Sequence, residues 1–182
     1  MIRSALFVLV SAGLVYVSRA ALRAPRSHGF WRLFAWEAIL GVILLNAPRW
    51  FTDPFSLRQV VSWLLLIISI YPAVHGVRLL RQAGRPDPKR DAAGLLDFEK
   101  TTALVTTGIY RYIRHPLYAS LLFLTWGAML KDVAWPGVAL TLAATGLLAL
   151  TAKADERECL HFFGPAYEAY MRRTKRFIPF VF

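Results

Sequence analysis

Arg114 and His115 stand side by side in the stretch GIYRYIRHPLYAS, residues 108–120, among Tyr110, Tyr112 and Tyr118 and directly before Pro116. A guanidinium and an imidazole can hold carboxylates or phosphates, while tyrosines supply flat apolar faces and hydroxyls. Nothing purely structural needs that mixture at the entrance to an apolar segment. The run behind it, residues 118–130, extends about 20 Å at 1.5 Å per residue, well short of a hydrocarbon core of about 30 Å. Arg114 and His115 therefore sit at or below headgroup level. A short, proline-interrupted hydrophobic segment of this kind points to a binding cavity, because polar backbone at that depth is tolerated only around one.

A second chemistry-bearing set lies further along the chain. Asp155, Glu156 and Glu158 come first, then Phe162, Phe163, Tyr167 and Tyr170, then Arg172, Arg173, Lys175 and Arg176. Together the two sets suit a ligand that carries both charge and an aromatic base and is used next to lipid. Soluble-type nucleotide and hydrolase chemistries lack support, since the chain has no G-x-G-x-x-G after a strand, no Walker loop, no H-E-x-x-H and no serine-centred elbow. The single Cys159 excludes an intrachain disulfide and offers no metal cluster; beside His161 it reads as packing.

The elements that position these residues are membrane-type. At 182 residues, 57% hydrophobic and mean hydropathy +0.44, the chain is one domain's worth of protein and too apolar for an ordinary soluble fold. We read a single membrane domain with three amino-terminal helices over residues 1–80, a cytosolic loop and motif over 81–117, a transmembrane hairpin over 118–152 and cytosolic helices over 153–182. The first apolar run covers residues 4–17, extending to 22 if Arg19 snorkels. A secretory signal cleaved near residues 18–20 is the competing reading, and Arg19, Arg23, Arg26 and Arg32 behind the run argue for retention. The second run, residues 31–50, has a tryptophan at each end, as interfacial anchoring predicts. Glu37 inside it is expected to pair with Arg32 or Arg3 near the interface, or else to serve a site. The third run, residues 60–80, contains Pro72, expected to kink it, and His75, which reads as a packing histidine.

Residues 81–114 form the longest polar connection, opening with the Gly- and Pro-rich RQAGRPDPKRD. Its second half, LLDFEKTTALVTTGIY, is too apolar for a solvated linker and reads as an interfacial segment that returns the chain to the bilayer. The fourth run is the short one after Pro116, and the fifth, residues 133–152, is rich in Ala and Thr with Gly146, which suits close helix packing. That helix is expected to continue through KADERECLHFF and stop at Gly164. Pro165 then opens a last helix over residues 166–173, with Tyr167 and Tyr170 at i, i+3 on one face.

Charge tests the five-helix reading. With the amino terminus outside, eighteen of the 22 lysines and arginines fall on the inner side, leaving Arg3, Arg49, Arg58 and Lys131 outside. Such asymmetry is what positive-inside topology produces. It puts the RHPLY stretch and the carboxy-terminal tail on one cytoplasmic face. It also accounts for the net charge of +11 without nucleic acid, for which no binding motif is present.

LVTTGIYRYIRHPLYAS, followed by DERECLHFFGPAYEAYMRRTKRFIP, resembles the integral membrane methyltransferases related to isoprenylcysteine carboxyl methyltransferase and phospholipid N-methyltransferase. The likeness covers residues 104–179, under half of the chain. It implies S-adenosylmethionine as methyl donor, bound at the cytosolic face by Leu104, Val105, Gly108, Tyr110, Arg114, His115, Tyr118 and Glu156. The family's Glu-Glu pair is Asp155-Glu156 here, so the acidic role passes directly to Glu156 and less directly to Asp155. Arg176 and Glu156 are the implied catalytic residues, with Tyr170 and Arg176 on the acceptor side and no metal. The resemblance further implies an in-line displacement, with acceptor and methyl carbon held about 3–3.5 Å apart in a dry pocket. The acceptor enters from the bilayer and is a prenylated cysteine carboxylate, a phospholipid amine, or a small apolar thiol or acid. Acceptor specificity is expected to reside in the first three helices. Two other classes compete: NADPH-dependent membrane reductases of the sterol and steroid type, similar in their carboxy-terminal cofactor region but usually with more helices, and a non-enzymatic membrane scaffold.

Overall fold

A computed structural model describes residues 1–83, 95–96 and 99–180. Among the described residues the regular elements are all helices, with no strand. The helices are α1 (Ile2–Val17), α2 (Arg19–Leu22), α3 (His28–Asn46), α4 (Leu57–Ala83), α5 (Pro116–Met129), α6 (Trp135–Phe163) and α7 (Pro165–Arg173), with short 3-10 turns at Ala47–Arg49 and Gly108–Arg111. Three segments are long and apolar enough to cross a membrane: α3 with its 3-10 extension, α4 and α6, of 22, 27 and 29 residues. Of the five expected spans, α1 and α5 are shorter, at 16 and 14 residues, or about 24 and 21 Å.

α5 and α6 adjoin in sequence, yet α5 packs most extensively on α4 and α6 on α3. Small residues allow both contacts. A Cβ on Gly127 of α5 would fall 3.1 Å from the Leu66 backbone nitrogen of α4, and one on Gly76 of α4 would lie 3.2 Å from Pro116 of α5. Between α3 and α6 the buried core is Ala35, Ala38 and Ile39 against Ala144, Leu148 and Ala152. Association by close backbone approach is the way helices pack where lipid removes the hydrophobic drive. Outward residues of α4 stay apolar: Ile67, Ile70, Tyr71 and Val74 are each at least 60% exposed. Pro72 is buried inside α4, which continues through it for eleven further residues to Ala83.

The end of α5 far from its proline is closed by polar side chains. Asn46 Nδ2 donates to the Ala128 and Met129 carbonyls at 2.7 and 3.2 Å, and Arg58 to those of Leu130, at 2.6 Å, and Lys131. Lys131, fully buried, donates to Gln59 at 3.0 Å and lies 3.5 Å from the Trp63 ring centroid. Asn46 and Arg58 thereby satisfy the orphan carbonyls that end the helix.

Glu37 pairs with neither Arg32 nor Arg3. Its Oε2 accepts from Ser11 of α1 at 2.5 Å, whereas Arg3 donates to the Leu44 and Leu45 carbonyls and Arg32 to Glu99. His75 meets the Tyr71 ring edge-on at 4.6 Å. Gly164, at φ +57, ends α6 as expected, and Pro165 starts α7.

Candidate functional site

Pro116 opens α5 at its first helical position, where its missing N–H costs nothing, and keeps His115 out of the helical region, at φ −123° and ψ 64°. Arg114 and His115 thus leave the backbone at the helix mouth. Backbone bonds from the tail brace that mouth: Lys175 N donates to the Tyr112 carbonyl at 3.0 Å, Arg114 N to Lys175 at 2.8 Å, and His115 N to Arg176 at 3.1 Å. A parallel bridge pairs Ile113 with Lys175.

Asp155 and Glu156 are successive on α6, so their side chains diverge by about 100° and serve different neighbours. Glu156, 4% exposed, is surrounded by cations. Arg114 Nε donates to its Oε1 at 2.9 Å, His115 Nε2 lies 3.3 Å from the same oxygen, and Arg176 bonds both oxygens, at 3.1 and 2.7 Å. Asp155 receives the Tyr118 hydroxyl at 3.1 Å and the Cys159 thiol at 3.5 Å, and faces His115 Nδ1 at 3.5 Å. His115 therefore stands between two carboxylates, one at each ring nitrogen. Burial alone would push its pKa down; the bonds to Asp155 and Glu156 outweigh that and raise it above 6.5. The His115 and Tyr118 rings stack at 5.3 Å.

A pocket of about 650 Å³, counted to its open mouth, runs between this cluster and the segment that precedes it. Of the residues named from the sequence, Leu104, Val105, Tyr110, Arg114, His115, Tyr118 and Tyr170 line it. Asp155 presents the α6 carboxylate to it; Glu156 stands behind, toward the tail. Gly108 is outside the lining and shapes the turn instead: its φ is +58, and a Cβ there would strike Leu79 Cδ1 at 2.7 Å. Arg176 lies in a separate basic cleft with Arg114, Arg172, Arg173 and Lys175. Phe163, Tyr167 and Tyr170 form the aromatic wall of the pocket, and Tyr170 donates its hydroxyl to the Tyr110 carbonyl at 2.7 Å. Burial raises the phenols of Tyr110, Tyr167 and Tyr170, so all three stay neutral. Next to Phe177, an apolar groove of about 870 Å³ opens between α5 and α6, lined by Ala119, Leu122, Phe123, Trp126 and Ala149.

Sequence reasoning passed over Glu99, Thr101 and Ala103, which line the pocket, and Arg32 and His28, which hold Glu99. The one available signal was a lone glutamate in a stretch too apolar to be a solvated linker. His75 and Glu37 are not among the lining residues.

The family model described as Phospholipid methyltransferase matches residues 57–163, from the start of α4 to the end of α6. No curated protein and no solved structure gave a match. The matched region is more than half of the chain and carries both the RHPLY entrance and the Asp155-Glu156 pair. The chain therefore belongs to the phospholipid methyltransferase family, a family of membrane methyltransferases.

Proposed function

We propose that the protein uses S-adenosylmethionine to methylate a lipophilic acceptor at the cytosolic face of a membrane. The observation that carries the reading is the pocket itself, in which carboxylates, an imidazole and aromatic faces converge. Its residues fit such a donor. Asp155 and His115 suit the polar ends, Leu104 and Val105 an aromatic base, and the faces of Phe163 and Tyr167 favour positive charge by cation–π attraction. When bound, S-adenosylmethionine supplies an electrophilic methyl group on a sulfonium.

The chain's own residues orient and exclude. Glu156 neutralises Arg114 and His115 and fixes their positions, so the helix mouth holds its shape at little reorganisation cost. Arg176, held on Glu156 from the tail side, is placed for an anionic acceptor head, with the α5–α6 groove taking the hydrocarbon. Holding two reactants in register is worth roughly 7–11 kcal/mol of barrier. The division of basic residues supports a cytoplasmic site and an external amino terminus.

Calorimetric titration of the purified protein in detergent with S-adenosylhomocysteine and with NADPH tests the assignment. Binding of the first and not the second is expected; tight NADPH binding alone moves the chain to the reductases. A reporter placed after residue 180 that surfaced outside the cell would reverse the orientation.

A further inference from the structure

A second buried charge cluster borders the pocket at the amino-terminal end of α3. Arg32 Nη1 donates to both oxygens of Glu99, at 2.9 and 2.8 Å, and the Leu96 backbone N–H adds a third bond at 2.8 Å. His28 completes the group, with Nδ1 2.6 Å from Glu158 of α6 and Nε2 3.9 Å from Glu99. The His28 backbone N–H also donates to Glu158, at 2.8 Å. His28 and Arg32 are 1% and 4% exposed. Burial alone would raise the Glu99 carboxyl; the bond to His28 and the charge of Arg32 outweigh it and hold the group below its ordinary value.

Of the four side chains, Glu99 alone lines the pocket. It begins the segment that supplies Thr101, Ala103, Leu104 and Val105 to the pocket wall, and residues 102–107 of that segment carry neither helix nor strand. α3 and α6 are already joined by their own apolar core. The added work of the cluster falls on the segment that begins at Glu99, which lies outside that core. Buried charges are costly to desolvate and strongly disruptive when one partner is removed, which makes such a cluster a device for fixing geometry.

We propose that Arg32 and His28 are positioning residues for the donor pocket: acting through Glu99, they fix the wall that carries Leu104 and Val105. The proposal rests on the donor-pocket reading above and extends it to α3, a helix outside the matched region and one the sequence assigned to acceptor choice. It also predicts which kinetic constant moves. Arg32 and His28 do not line the pocket, so their loss loosens the wall and weakens the donor without touching the reacting groups.

The test uses the full chain in detergent, with hydrogen exchange of residues 99–105 read alongside S-adenosylhomocysteine affinity. Arg32→Ala is expected to speed exchange across 99–105 while α5 and α6 keep their protection. It should weaken S-adenosylhomocysteine about tenfold and raise KM for S-adenosylmethionine to match, with kcat within about twofold. Arg32→Lys, which keeps the charge as a point ammonium, should recover part of both losses. Wild-type exchange and affinity in Arg32→Ala would overturn the proposal, as would exchange that rises equally through α6. Should Arg32→Ala not fold, His28→Gln carries the same two readouts, with wild-type values again fatal to the proposal. Failure of the wild type to bind S-adenosylhomocysteine refutes the donor reading, while the exchange data still judge the clamp.

Discussion

Arg176 donates to Glu156 through Nε at 3.1 Å and Nη2 at 2.7 Å, so a residue of the tail grips α6 with both arms of its guanidinium. The pair separates two compartments. Asp155, one residue round α6 from Glu156, faces the pocket; Arg176 faces the basic cleft, and the next residue, Phe177, lines the apolar groove.

That separation makes Arg176→Ala a discriminating variant. Donor affinity should stay within a few-fold of wild type while turnover falls, because the guanidinium is absent from the pocket lining. Titration with S-adenosylhomocysteine beside a steady-state assay reads both. A large loss of donor affinity would move Arg176 to the donor side.

Asp155→Asn keeps the volume and removes the charge that the pocket and His115 share. Loss of a buried charged partner costs about 1–3 kcal/mol, or roughly 5- to 150-fold in S-adenosylhomocysteine affinity. The variant should remain folded, since Glu156 still neutralises the mouth.

Glu156→Gln should behave in the opposite sense, acting on stability first. Three cations depend on this carboxylate, and breaking buried pairs costs about 3–5 kcal/mol. A fall in the thermal midpoint larger than that of Asp155→Asn is expected. Equal midpoints would contradict the central place given to Glu156.

His115 gives the pH dependence. Its folded pKa is raised above 6.5, so its stabilising contribution is fully present below about 6.5 and is lost as pH rises through the folded value. Stability and donor affinity should therefore decline on the alkaline side. His115→Gln should abolish that limb and leave a flatter profile, checked by thermal denaturation across a pH series.

Gly108→Ala adds a Cβ at positive φ, directly onto Leu79. The left-handed strain alone is about 1–2 kcal/mol, and the contact with α4 adds to it. Reduced thermal stability is expected, with Tyr110, two residues on, displaced enough to weaken the donor.

The long runs were legible because a 3.6-residue helix of apolar residues leaves few alternatives: α4, α6 and the Gly164-Pro165 break follow from composition and capping chemistry alone. The RHPLY entrance was legible for the same reason, since charge beside proline has no place within a lipid-facing helix. Less could be read of partners. Arg32 and Glu99 are separated by 66 intervening residues, and neither residue's neighbours announce the other; Glu37 lay nearer to Arg32 and was the natural choice. The division of labour between Asp155 and Glu156 depends on the helical phase of α6 relative to the tail, which no local pattern fixes. Pairing of α5 with α4 rather than α6 depends on where Gly127 and Gly76 allow close approach.

The backbone lacing between residues 112–115 and 175–176 has a consequence for biosynthesis. α1 to α6 all precede the tail in synthesis, yet the mouth of α5 is braced by Lys175 and Arg176, which are made after all of them. Until those residues arrive, Glu156 also lacks its tail-side partner. The brace of the helix mouth therefore cannot close until the last turn of the tail has been synthesised, however early the six helices before it are made.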